Sequence, residues 1–157
     1  MKVKFFSRKK ALKYISLCDP KEIYVISIAD PGVAQKTVLK NIPQKNKLEL
    51  AFYDVYDPDF PHGPRKKHLK KLFKFAEKIE RFENEIIVFC SKGYSRSPAI
   101  AYILWCWKLG YKKEKEALIK AFDNDRENMP NFLLVQIADS LLQRGGRMIH
   151  YLVRNFY

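Results

Sequence analysis

The sequence predicts an α/β domain of three layers, α/β/α, with a central, mostly parallel sheet and helices on both faces. Three observations carry this prediction. Four short apolar runs, at residues 3–6, 24–28, 48–52 and 86–89, have the length of strands. Segments with apolar residues at helical spacing alternate with them. The second and fourth runs lack polar alternation, the pattern of strands covered on both faces of a parallel sheet.

The helices follow in order. Ser7 is placed to cap a helix bearing Leu12, Ile15 and Leu17. Pro64 or Arg65 opens a basic helix whose Leu69, Leu72, Phe73, Ala76 and Ile79 form one stripe. Pro98 suits the first position of a helix holding Ile100, Ile103, Leu104 and Trp107, and Gly110 stops it. Trp105 and Trp107 point to different faces, and Trp107 fits the core stripe. Two more helices are expected at 114–122 and 131–144, the latter closed by Gly145. The tail, 147–157, is apolar enough to pack, and its conformation stays open at this stage.

A chain of 157 residues with no linker or repeat reads as one domain, residues 1–157. Its 47% hydrophobic and 14% aromatic content argues against disorder. No apolar run approaches the roughly 18–20 residues of a membrane span. The basic start of the chain is followed by no apolar stretch of the signal-peptide kind. Three cysteines, Cys18, Cys90 and Cys106, are too few and scattered for a disulfide framework or a zinc site, so a reducing, cytoplasmic setting is expected. His62, His68 and His150 have no metal-ligand spacing and read as surface residues.

The formal net charge of +13 attracts polyanions: RNA, anionic lipid or phosphorylated protein. It does not choose among them. Six of the ten residues at 65–74 are Lys or Arg, yet the same stretch carries a helical apolar stripe. The plain reading is the solvated face of an amphipathic helix.

The most informative segment is Cys90-Ser91-Lys92-Gly93-Tyr94-Ser95-Arg96-Ser97. Strand, tight loop and helix in that order turn the loop amides and a helix N-terminus toward one small volume, which favours an oxyanion such as phosphate. A cysteine at its rim ionises readily, and an arginine at its far end grips two oxygens at once. The Ser97 hydroxyl can hydrogen-bond the sulfur, and Gly93 lets the backbone turn inward. Cys90 and Asp54 each follow a strand at its carboxyl end, where open α/β sheets bind ligands.

Cysteine, five residues, then Arg-Ser, with Gly93 third in the interval, resembles the protein tyrosine phosphatase superfamily. The run from Cys90 to Pro98 is most similar to the small dual-specificity phosphatases. Residues 117–123 and 126–131 resemble the downstream part of that domain, so the likeness covers residues 20–145. It implies a phosphatase-like fold, a phosphocysteine intermediate, no metal or other cofactor, and a phosphorylated protein substrate. In those terms Cys90 is the nucleophile, Arg96 binds the phosphoryl group with Ser91, Lys92, Gly93, Tyr94 and Ser95, and Ser97 assists departure of the sulfur. The likeness also implies an acidic residue on the loop after the preceding strand. Asp54, Asp57 and Asp59 stand there; Asp54 comes first and Asp57 is the alternative. One departure is clear: the family usually has histidine immediately before the nucleophile, where this chain has Phe89. Rival expectations are a phosphatase for RNA 5′ ends or phosphoinositides, and a phosphate-binding module with weak catalysis.

Overall fold

The structure, a computed structural model, describes residues 1–33, 39–123 and 125–157. In chain order the elements are β1 (Lys2–Ser7), α1 (Arg8–Ser16), β2 (Ile23–Ala29), a 3-10 turn (Gln44–Asn46), β3 (Lys47–Ala51), α2 (Lys66–Glu77), β4 (Glu85–Cys90), α3 (Arg96–Leu109), α4 (Glu114–Phe122), α5 (Phe132–Leu141) and α6 (Arg147–Phe156). The strands form one sheet in the order β1-β4-β2-β3, and every pairing is parallel.

Alternation along the two central strands decides the layers. β4 turns Ile87 and Phe89 to one face and Ile86, Val88 and Cys90 to the other. β2 divides likewise, Ile23 and Val25 against Tyr24, Ile26 and Ile28. The smaller face is covered by α1 through Ala11 and Ile15, with Leu39 and Ile42. The larger face carries the main core, built with residues from α2 to α6. Both central strands are buried almost throughout, which is why their sequences lack polar alternation. The three-layer α/β expectation holds, with a sheet that is parallel at every pairing.

Several local expectations shift. The helix after the loop begins at Arg96 with Ser95 as its cap, not at Pro98. Pro98 is tolerated as the third residue because a first-turn N–H needs no helical acceptor. Trp105 is buried in the core while Trp107 is only half-buried. Leu17 lies past the end of α1 and is 86% exposed. The helix expected to reach residue 144 ends at Leu141, where the Arg144 N–H turns back to the Asp139 carbonyl at 2.9 Å.

The open tail is α6. Its N-terminus is capped by a side chain seven residues upstream: Asp139 Oδ1 accepts from Gly146 N–H at 2.7 Å and Oδ2 from Met148 N–H at 2.9 Å. Glu114, fully buried, receives Arg147 Nε at 2.9 Å and faces Arg144 Nη1 at 3.7 Å. His68 corrects the surface reading. It is buried, its ring lies 4.7 Å from that of Phe52, and its Nδ1 accepts from the Arg65 N–H at 3.0 Å. Burial first, then the nearby Lys67, Lys71 and Arg65 charges, pushes its pKa down to about 4.

Candidate active site

β4 ends at Cys90, in register with Ser7 at the end of β1. The chain then makes a tight loop before α3, and the end of β1 holds it from one side. The Arg8 N–H donates to the Ser91 carbonyl at 3.2 Å. Gly93 has φ +70, and a Cβ there would stand 2.2 Å from the Ser7 nitrogen and 2.5 Å from the Phe6 carbonyl carbon. Only glycine permits both the turn and the approach.

The other side is held by residues just before α5. The Met129 N–H donates to the Tyr94 carbonyl at 3.1 Å, and the Asn131 N–H to the Ser95 carbonyl at 3.0 Å. Asn131 is fully buried and works in two directions. Its Oδ1 caps α5 by accepting from the Leu134 N–H at 2.9 Å. Its Nδ2 donates to Asp54 Oδ1 at 2.8 Å and to the Val55 carbonyl at 3.1 Å.

Within this frame the sequence-derived residues converge. Ser97 Oγ lies in hydrogen-bond contact with Cys90 Sγ at 3.2 Å. Ser95 Oγ donates to Asp54 Oδ1 at 2.8 Å. Both described bonds to Asp54 therefore fall on one carboxylate oxygen. Arg96, 4% exposed, donates through Nη1 to Asp30 Oδ1 and to the Phe52 carbonyl, each at 2.7 Å. Its Nε is buried and has no hydrogen-bond partner among the described residues. A guanidinium fixed along one side, with a buried donor unmatched on another, is suited to an incoming oxyanion.

The residues open into a cavity of about 810 Å³ lined by Cys90, Ser91, Lys92, Tyr94, Ser95 and Arg96, with Asp54 and Asp30 on its wall. Four exposed rings border it: Tyr53, Tyr56, Phe60 and Tyr94. The Tyr53 N–H donates to the His62 carbonyl at 2.9 Å and closes the loop that carries three of them. Asp57 is not part of this lining; its exposed carboxylate accepts from the Asp59 N–H at 2.9 Å in a local turn.

Two participants were not anticipated from sequence. Asp30 directly follows β2 at its carboxyl end, the same placement that drew attention to Cys90 and Asp54, so a signal was present. Asn131 sat within a stretch already noted, but nothing local linked it to Asp54. Phe89, in the position before the cysteine, is buried on the α1 side among Ala11, Ile15, Val25 and Ile87, on the face away from the cavity.

Solved structures share this architecture. PTP-2 phosphatase of Cydia pomonella is 18% identical with a TM-score of 0.65, the match covering 89% of this chain and 85% of that one. PTPMT1 in complex with PI(5)P is 15% identical with a TM-score of 0.63, covering 90% of each chain. Tk-PTP in its active form is 14% identical with a TM-score of 0.59, again covering 90% of each. No protein-family model matches the sequence, and no curated protein matches it either. At these identities the likeness establishes the fold, a phosphatase-like α/β domain, as the sequence implied.

Proposed function

We propose that this protein is a cysteine-dependent phosphatase that hydrolyses phosphotyrosine, together with phosphoserine and phosphothreonine, in proteins through a phosphocysteine intermediate. The observation that carries the reading is Arg96: its Nη1 is held by Asp30 and Phe52 while its buried Nε is left for an oxyanion beside Cys90.

In this reading the phosphoryl group sits in the loop from Cys90 to Arg96. Cys90 Sγ attacks phosphorus and the ester P–O bond breaks. Asp54 gives its proton to the leaving oxygen, and the bonds that Ser95 and Asn131 make to Oδ1 leave Oδ2 to carry that proton. Water then attacks phosphorus, Asp54 takes up the proton, and the S–P bond breaks. Ser97 donates to the departing sulfur. Arg96 and the loop amides stabilise the charge spread over the equatorial oxygens in both steps.

The bordering rings support an aromatic leaving group such as tyrosine. Three free cysteines support work in a reducing, cytoplasmic setting. A second reading, a phosphoinositide phosphatase, is favoured by the likeness to PTPMT1 solved with PI(5)P. Turnover of a phosphotyrosine peptide against dispersed PI(5)P separates the two.

The decisive test is hydrolysis of p-nitrophenyl phosphate in the presence of a chelator. Turnover is expected, Cys90→Ser is expected to abolish it, and rapid quench is expected to trap phosphate on the wild-type sulfur. Full activity in Cys90→Ser would overturn the reading.

A further inference from the structure

At the other end of the sheet the molecule has a second concavity, of about 880 Å³. It lies between the first residues of β2 and β3, the 3-10 turn and the last turns of α2. Five lysines line it, Lys45, Lys47, Lys71, Lys74 and Lys78, against two acids, Glu77 and Glu80. Lys45 pairs with Glu80 at 3.7 Å, and Lys47 Nζ donates to the Leu39 carbonyl at 3.0 Å. Lys71, Lys74 and Lys78 make no ion pair among the described residues.

Lys71 and Lys74 lie on α2 and Lys78 caps its end, continuing a row that starts at Lys67. Positions 67, 71, 74 and 78 follow helical spacing, so like charges stand beside one another. Such neighbours destabilise a helix. The row is roughly 16 Å long at about 1.5 Å per residue. The repulsion is small for each exposed pair, and an extended anion lying along the row relieves it.

Three features narrow the class of that anion. The site is concave and bordered by this row of lysines, matching a chain with charge at regular intervals; a nucleic acid strand carries a phosphate about every 3.4 Å of its axis. Among the described residues α2 presents no large exposed apolar side chain, and so lacks what anchors an interfacial helix in a membrane. The rings nearest the groove, Tyr24 and Phe75, are only 5% and 9% exposed, so no aromatic platform is open for stacking bases.

We propose that this groove binds a nucleic acid strand through its phosphates, without reading its bases. The site is independent of the phosphatase reading. Tyr24 and Asp30 mark the two sites at opposite ends of β2, roughly 20 Å apart at about 3.3 Å per residue.

The test is fluorescence anisotropy of the full chain with labelled oligouridylate and oligoadenylate over a range of salt. Lys71→Glu/Lys74→Glu/Lys78→Glu is compared with Lys9→Glu/Lys10→Glu/Lys13→Glu, a charge-matched control on α1. Thermal melts report folding, and the corresponding Gln variants replace any Glu variant that fails to fold. The groove variant is expected to bind about tenfold more weakly or worse at moderate salt, with the slope of log K against log salt reduced by about 2, since each phosphate contact on a single strand contributes about 0.7. The control is expected to lose no more than about threefold, and the two oligonucleotides to bind within about threefold of each other. Equal weakening by both variants, an unchanged slope, strong preference for one base, absence of binding, or binding only to phosphatidylserine vesicles overturns the proposal.

Discussion

Arg96 is the residue whose surroundings say most. A nearly buried guanidinium depends on whatever fixes its orientation, and here that is Asp30 and one backbone carbonyl. On the proposed phosphatase reading, Asp30→Ala should therefore leave the fold intact and lower kcat/KM by about 10–100-fold, the order of loss caused by a small misplacement of a catalytic group. Asp30→Asn, which keeps an acceptor, should recover part of the loss in steady-state kinetics on an aryl phosphate. Asp54 should behave differently. In the proposed mechanism it protonates the leaving oxygen, so on an alkyl phosphate, whose leaving group is poor, Asp54→Asn should lower kcat by about 10²–10⁴-fold. Asp57→Asn should leave kcat close to wild type, since the Asp57 carboxylate lies outside the cavity and accepts from Asp59 in a local turn. Sequence points to the loop from Cys90 to Arg96 and to Asp54, which line one cavity, because each lies in a short contiguous stretch. Asp30 and Asn131 act through partners far along the chain, and no local pattern announces that.

At the scale of elements, α2 shows how a polar residue can be absorbed into a core. His68 accepts the Arg65 N–H at the start of the helix and supports the Phe52 ring, whose carbonyl holds Arg96. Its folded pKa of about 4 lies below the ordinary value of 6.5. Above pH 6.5 both folded and unfolded states hold it neutral, so it adds no pH dependence. Between 6.5 and 4 the unfolded chain takes up a proton that the folded chain refuses, and stability falls with acidification, by on the order of 3 kcal/mol across the window. His68→Gln keeps an acceptor and cannot titrate. Denaturant melts across this pH range should be flatter for the variant. The strands were legible from short apolar runs and α4 from its helical apolar spacing, both of them local signals. The start of α3 was misread because Pro98 is a strong local signal while the true cap lies within the loop. α6 could not be read at all, because Asp139, which caps it, belongs to the preceding helix.

Across the whole molecule, the main core and its buried charges join the later helices to one another. Glu114 binds Arg147 and faces Arg144, and Arg144 Nη2 donates to the Cys106 carbonyl of α3 at 3.0 Å. Glu114→Ala leaves a buried arginine without its counter-charge and should cost about 3–5 kcal/mol, measured by chemical denaturation. The layer order followed from sequence, whereas this charge network joins α3, α4, α6 and the turn before α6, and only the assembled structure reveals it. The packing of Gly93 against the end of β1 has a consequence in time. β1 is made first, yet its neighbour β4 leaves the ribosome on the order of ten seconds later at ~5–20 residues per second. Until then the first strand has no edge to join, and the loop has no wall. The newborn thiol therefore passes through a stage in which it is present but unshaped, and completion of the cradle waits on a contact between the earliest and the middle parts of the chain, the kind of distant closure that slows folding.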